Sequence, residues 1–233
     1  MKKIIIGILV FLCLVGTSVS AQNKLFETHT DSAKLVDNAN LLIKQFIVDV
    51  NKIKPDLKLK TTGVLNTKPF LIFYNSRQDV VNLPLWSQVI APQKDFFYKL
   101  AGSENEGVKV FGLLFNGFYL AHELGHAAQT SAQKTIADKY DNEYFANVVA
   151  VLYWKKIGKR KELDACYKYA KIILKQLSNP VPTGEDERTY FTANYAKLSV
   201  DPYKYGYFQF SQLVKIYEDK TLPDFDTFIK EKM

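Results

Sequence analysis

Two of the chain's three histidines, His122 and His126, are four residues apart, and Glu123 directly follows the first of them. Four residues make about one turn of an α-helix, so a helical segment would place both imidazole rings on the same face. Both rings could then reach one metal ion. Glu123 would be rotated by about 100° from His122, which places its carboxylate beside such an ion. The spacing therefore predicts a central helix around which the rest of the fold has to be arranged.

This arrangement is the His-Glu-x-x-His pattern, in which the histidines bind zinc and the glutamate is a general base. A catalytic zinc needs three protein ligands and one open position. No histidine follows His126, and we expect the third one, His29, to be a surface residue. Acidic residues downstream can complete the set. Glu143 fits an antiparallel second helix, whereas Asp138 and Asp141 fall in the predicted turn, where helix capping is the simpler use.

Apolar periodicity predicts a chain that is mostly helical. Two short apolar runs, residues 69–74 and 108–114, read as strands, and residues 102–107, directly before the second run, read as a loop. We therefore expect an α+β fold, with a small sheet packed on the central helix and a mainly helical C-terminal half. The predicted helices cover residues 31–54, 116–128, 142–157, 162–177, 186–198, 207–217 and 224–232.

The first 21 residues have the composition of a secretory signal peptide. Two lysines are followed by an apolar run over residues 4–15 and then by small residues ending at Ala21. The run is too short to span a bilayer comfortably. The sequence thus predicts export to the periplasm or the cell exterior, with no stable membrane span after the signal is removed.

Residues 22–233 are predicted to form a single domain, with a helical lobe from about residue 160. The signal accounts for two of the seven net positive charges of the chain, and the other lysines are dispersed. Together with export, this argues against a nucleic-acid partner. The signal also contains Cys13, which leaves Cys166 without an intrachain partner, so the stability of the domain has to come from its core.

Two segments together, His122-Glu-Leu-Gly-His126 and Glu143-Tyr-Phe-Ala-Asn147, resemble the gluzincin metallopeptidases of the thermolysin-like superfamily. The resemblance covers about residues 116–156. It implies a peptidase that holds one Zn²⁺ per chain and acts on a peptide or protein substrate. The two histidines and Glu143 would bind the metal, and Glu123 would be the general base.

One position departs from that family. Gluzincins often have an aspartate, one turn after the glutamate ligand, that orients a zinc-binding histidine, and here this position is Asn147. An asparagine can accept the same hydrogen bond through its carbonyl oxygen. It carries no negative charge, so it should raise the basicity of the histidine less than a carboxylate would.

The resemblance also implies a side chain that stabilises the oxyanion and an edge strand that aligns the substrate. Because no further histidine is available to stabilise the oxyanion, a tyrosine is implied for that role. For the second, residues 108–114, just before the motif helix, are the candidate. The tyrosine candidates are Tyr190, Tyr195, Tyr203, Tyr205 and Tyr207.

We therefore predict an exported zinc metallopeptidase that hydrolyses peptide bonds through a zinc-activated water. Two alternatives remain open. One is a zinc hydrolase of the same site chemistry acting on other amides, and the other is a non-catalytic zinc-binding or protein-interaction domain that retains the motif. A Glu123→Gln variant separates an enzyme from a non-catalytic domain. An enzyme should keep its zinc and lose activity, whereas a binding domain should be unaffected in its function.

Overall fold

The computed structural model describes residues 24–66 and 71–233, so the signal peptide predicted over residues 1–21 lies outside the described part. Within that part the chain is α+β, with three strands and nine α-helices. In chain order they are α1 (Ser32–Ile53), β1 (Thr62–Leu65), β2 (Phe73–Asn75), β3 (Val80–Leu83), α2 (Ala91–Ala101), α3 (Glu104–Leu113), α4 (Tyr119–Ser131), α5 (Lys139–Lys156), α6 (Arg160–Leu174), α7 (Glu187–Leu198), α8 (Pro202–Glu218) and α9 (Phe225–Lys232).

The small sheet has the strand order β1-β3-β2. Strand β1 pairs with β3 in parallel, from Thr62 opposite Val80 onward, and β2 pairs with β3 in the antiparallel direction. This leaves β2 as an edge strand that lies against α4. The strand predicted over residues 69–74 is therefore present at its C-terminal end, and residues 69 and 70 lie outside the described part.

The strand predicted over residues 108–114 is wrong, because residues 108–113 belong to helix α3 and Leu114 begins the helical turn that follows it. The helix begins at Glu104, inside the predicted loop, and the Ser103 hydroxyl caps it by accepting a hydrogen bond from the Glu106 N–H at 3.2 Å. Two glutamates in the first turn also favour a helix start through the helix dipole. A short apolar run does not separate a buried helix from a buried strand, so the capping residues decide the outcome.

Helix α3 runs on into α4 through a π-helical turn, Leu114–Phe118, where the sequence predicted the start of the motif helix. Such a turn leaves backbone carbonyls without their usual helical donors. The indole N–H of Trp154, on α5, donates to the carbonyl oxygen of Phe118 at 3.3 Å. The turn is thus stabilised by the helix that packs against it.

The segment that precedes α1 is part of the core. Leu25 and Phe26 are buried, and the Phe26 ring packs edge-on against Trp154 with centroids 4.4 Å apart. Our expectation that His29 is a surface residue is wrong, since its side chain is buried, and this burial lowers its pKa. Thr28 donates from its hydroxyl to the Val108 carbonyl at 2.6 Å, which ties the segment to α3.

Gly112 permits this close approach, and a Gly112→Ala variant should therefore lose stability. A Cβ at this position would lie 2.5 Å from the Thr28 backbone nitrogen and 2.7 Å from the Glu27 carbonyl carbon. Because these are backbone atoms, one segment has to move, and we expect a loss of about 3 kcal/mol in the free energy of unfolding. Gly206→Ala is the matched control in urea unfolding, since its nearest neighbours are 3.4 Å away. Equal stability of the two variants would contradict the prediction.

Among the described residues, most buried apolar side chains belong to one cluster that reaches from the first described residues to α9. A smaller cluster, formed by Phe191, Leu198 and Phe208, joins α7 to α8. No helix in the described part combines the length and apolar character that crossing a membrane requires. The two clusters matter for function because they fix α4, α5, α7 and α8 around one polar centre.

Candidate metal centre

Helices α4 and α5 pack against each other, and their chain directions are opposite. His122 lies beside Asn147, and Gly125 lies beside Ala146, so the helices are antiparallel. A Cβ at position 125 would be only 3.0 Å from the Ala146 Cα, which shows how closely the backbones approach. The glycine inside the motif thus lets α5 present its side chains to the two histidines.

The turn before α5 holds the two aspartates that were alternatives for the third ligand. Asp138 is the N-cap of α5, and its carboxylate accepts the Asp141 N–H at 3.0 Å, so the helix begins at Lys139 and not at residue 142 as predicted. Both carboxylates also form ion pairs with Arg188 of α7. They serve helix capping and the α5–α7 contact, whereas Glu143 lies one turn further on and faces the histidines.

Three candidate ligand atoms converge between α4 and α5. The Nε2 atoms of His122 and His126 are 3.2 Å apart, and Glu143 Oε2 lies 3.3 Å from the first and 3.8 Å from the second. His122 and Glu143 are buried, and the His126 side chain is 18% exposed. Ligands at about 2.0–2.1 Å from a tetrahedral zinc lie about 3.3 Å from one another. The spacing of the three atoms therefore fits such an ion.

The charges at the centre also favour a cation. Burial on its own would raise the pKa of Glu143, but the adjacent rings of His122 and His126, which in their protonated form donate to it through Nε2, hold this pKa well below its usual range. Burial would likewise lower the pKa of His126, and the contact with Glu143 outweighs it and raises the pKa. A buried carboxylate between two imidazoles thus requires a shared positive charge, which either a proton or a metal ion can supply.

The outer nitrogens of both rings face neutral amides. His122 Nδ1 lies 2.8 Å from Asn147 Oδ1, and His126 Nδ1 lies 3.3 Å from Gln129 Oε1. Because an amide oxygen only accepts, each Nδ1 carries the hydrogen, and the lone pair of a neutral ring is then on Nε2, toward the centre. The structure places Asn147 where the sequence predicted it. It adds Gln129, which follows His126 at the i+3 spacing of a shared helix face.

Glu123 lies next to these atoms and is tied to the sheet. Its Oε2 accepts a hydrogen bond from the backbone N–H of Tyr74, in edge strand β2, at 2.8 Å. His122, Glu123 and His126 each have one ligand atom within 4.8 Å of the others, so Glu123 is a second carboxylate within reach of an ion. Glu143 is the better third ligand, because its Oε2 directly contacts both imidazole nitrogens.

Two of the five candidate tyrosines reach the centre. The Tyr195 hydroxyl donates to Glu143 Oε1 at 3.3 Å, and the Tyr205 ring packs edge-on against Tyr195 with centroids 6.3 Å apart. Burial raises the pKa of both phenols, so both remain protonated donors. The other three candidates pack on aromatic rings elsewhere, Tyr190 and Tyr207 against Phe208 and Tyr203 against Phe96.

Helix α8 contributes two buried glutamines that sequence reasoning missed. Gln209 Nε2 donates to Glu143 Oε2 at 2.9 Å, although the two residues are 66 positions apart. The Asn147 side-chain nitrogen donates to Gln209 Oε1 at 3.1 Å and to Gln212 Oε1 at 2.9 Å. No spacing in the chain relates these residues to the motif, so only the packing of α8 on α5 brings them together.

Comparison of the chain with protein-family models, with curated proteins and with solved structures finds no match. The chemistry of the centre is thus the basis on which its function can be inferred. That chemistry comprises two imidazole nitrogens and one carboxylate oxygen at ligand spacing, a further carboxylate beside them, and phenol and amide donors around them.

Proposed function

We propose that the protein is a zinc metallopeptidase of the gluzincin type. The observation that carries this proposal is the convergence of His122 Nε2, His126 Nε2 and Glu143 Oε2 within 3.2 to 3.8 Å. Two histidines and one glutamate form the ligand set of catalytic zinc in thermolysin. The sequence resemblance over residues 116–156 points to the same three residues. Zinc held there would act as a Lewis acid toward a carbonyl and lower the pKa of a bound water to about 7.

Glu123 is the residue that would move protons. The hydrogen bond from the Tyr74 N–H occupies Oε2 and restricts rotation of the carboxylate. Its other oxygen, Oε1, would accept a proton from the attacking water and pass it to the leaving amine. Its position beside the three ligand atoms, within 4.8 Å of the histidine nitrogens, suits that role.

Strand β2 would align the substrate, in place of residues 108–114, which are helical. One side of β2 pairs with β3, and the Tyr74 N–H marks the other side, which faces Glu123. An extended peptide laid along this edge would have its backbone beside the general base. The substrate would then be a peptide or protein segment in an extended conformation, and the predicted signal would place its hydrolysis in the periplasm or outside the cell.

Tyr195 is the tyrosine that we assign to the oxyanion, and a Tyr195→Phe variant should lower kcat by about 10²-fold. The phenol already lies at Glu143, and a developing oxyanion would compete for its hydrogen. We expect zinc content to be retained, which separates this role from support of the ligand. Tyr203→Phe is the control, since Tyr203 is exposed and packs on Phe96. Equal kcat in both variants would remove Tyr195 from the mechanism.

Metal analysis and peptide hydrolysis on the mature protein test the proposal together. We expect about one zinc per chain, hydrolysis of some members of a mixed peptide library, loss of activity with a chelator and recovery on adding zinc. A protein that neither contains nor takes up zinc would overturn the proposal. Full zinc occupancy with hydrolysis only of other amides would favour the related hydrolase, and full occupancy without any turnover would favour a non-catalytic binding domain.

A further inference from the structure

We propose that Gln209 is a positioning residue of this metal centre, which holds ligand Glu143 and the amide of Asn147 in one hydrogen-bonded unit. The inference rests on the metal site of the proposed function and extends it to helix α8. It explains why an asparagine, and not an aspartate, stands beside His122. It also assigns a role to a buried glutamine that no motif in the chain indicates.

The contacts of Gln209 join two helices at the ligands. Its side-chain nitrogen donates to Glu143 Oε2 at 2.9 Å, the oxygen that faces both histidines. Its side-chain oxygen accepts from Asn147 Nδ2 at 3.1 Å. Gln209 is buried, so water cannot readily replace either bond, and loss of the donor would leave Glu143 with one fewer partner. The residue therefore fixes the rotamer of a ligand and the direction of the amide that orients another.

Gln212 completes the network without touching a ligand. It accepts from Asn147 Nδ2 at 2.9 Å and donates to the Tyr140 carbonyl at 3.3 Å. The Asn147 nitrogen thus has two acceptors, which directs the Asn147 oxygen toward His122 Nδ1. Each amide in the network has one orientation that satisfies its neighbours.

An aspartate at position 147 would disrupt this network of amide hydrogen bonds. One carboxylate oxygen would face the side-chain oxygens of Gln209 and Gln212, where a donor now stands. Turning the Gln209 amide around would relieve that contact and place its oxygen against Glu143 instead. A third carboxylate would also add buried negative charge beside Glu143 and Glu123. The neutral amide is therefore the group that fits, and the centre should bind metal less well with aspartate.

The test measures zinc affinity by chelator competition on wild type, Gln209→Met and Gln212→Met. Methionine has nearly the length of glutamine and makes neither hydrogen bond. We expect Gln209→Met to weaken zinc binding by about 10- to 100-fold, the range found for groups that support metal ligands. Gln212→Met, one turn along the same helix, should change the affinity only a few-fold, because it leaves the Gln209–Glu143 bond in place.

Two further readouts separate positioning from general support of the fold. The absorption spectrum of the Co²⁺-loaded protein reports ligand geometry, and it should change in Gln209→Met and stay close to wild type in Gln212→Met. Thermal unfolding of the metal-free proteins reports stability by itself. A purely structural role would lower the midpoint in Gln209→Met and leave the zinc affinity and the Co²⁺ spectrum unchanged.

Asn147→Asp provides a measurement that does not depend on how well Gln209→Met folds. If the amide network forms, Asn147→Asp should bind zinc about tenfold more weakly than wild type. If it does not form, a carboxylate beside His122 should tighten zinc binding. Combined with Gln209→Met, the aspartate should cost less than it does alone, because one of the two opposing side-chain oxygens is gone.

Three results would overturn the inference. Zinc affinity of Gln209→Met within twofold of wild type, with an unchanged Co²⁺ spectrum, would do so and leave the proposed peptidase standing. Tighter zinc binding by Asn147→Asp would do the same. A wild-type protein that binds no metal at all would overturn the inference and the proposed function together, whereas one that binds zinc without hydrolysing peptides would overturn only the function.

Discussion

A Glu123→Gln variant should keep its zinc and lose peptide hydrolysis by about 10²- to 10⁴-fold. Glutamine has the shape of glutamate, and its amide oxygen can still accept the Tyr74 N–H that now reaches Glu123 Oε2. The contact with strand β2 and the packing of α4 would then be preserved. What the variant lacks is a group that can take a proton from water and return it to the leaving amine.

The same substitution at an exposed glutamate supplies the control. Glu104 lies in the first turn of α3, and Glu104→Gln removes one negative charge without touching the metal centre. Zinc content, kcat and KM should be measured for both variants and for wild type. Undiminished turnover in Glu123→Gln, with zinc bound, would show that another group moves the proton.

Replacement of Glu143, the proposed third ligand, should have the largest effect on metal binding. Glu143→Ala removes the one carboxylate that contacts both imidazole nitrogens, and it leaves the donors on Gln209 and Tyr195 without their acceptor. We expect zinc affinity to fall by more than the roughly 100-fold upper range of changes at supporting residues. Chelator competition on the purified protein measures this loss directly.

The two aspartates of the preceding turn are the controls for Glu143→Ala. Asp138→Ala removes the N-cap of α5 and should cost about 1 kcal/mol of stability, and Asp141→Ala removes an ion pair with Arg188. Neither should change zinc affinity appreciably. If Glu143→Ala retained zinc while Glu123→Gln lost it, Glu123 would be the third ligand, since its carboxylate also lies within reach of the histidines.

Local sequence signals predicted the helices well and the strands poorly. Helices α1, α5, α6, α7 and α9 lie close to their predicted ranges because period and capping residues are local properties. Helix α2 was not predicted, although Pro92 stands in its first turn, where a proline is favoured. Residues 108–114, predicted as a strand, are helical in the structure. The prediction failed because an apolar run of seven residues is too short for its period to distinguish a helix from a strand.

The residues of the candidate site also fall into two groups, those that a local sequence pattern indicates and those that only tertiary packing brings in. His122, Glu123 and His126 share one helix, and Glu143 and Asn147 share the next, so spacing along the chain could indicate them. The groups that support them come from distant elements: the Tyr74 N–H from an edge strand, Tyr195 from α7, and Gln209 from α8. Their positions depend on how those elements pack, and a single sequence contains no local pattern for that.

The contact between Gly125 and Ala146 has a consequence for how this protein can change over generations. A methyl group at position 125 would meet the Ala146 Cα at 3.0 Å and the Val149 Cβ at 3.2 Å, so α5 would have to move by a few tenths of an ångström. In the proposed metal site, ligand distances should agree with ideal values to within about 0.2 Å, so a shift of that size would matter. Position 125 is therefore restricted to glycine, and a larger residue there would be tolerated only with a compensating substitution on α5.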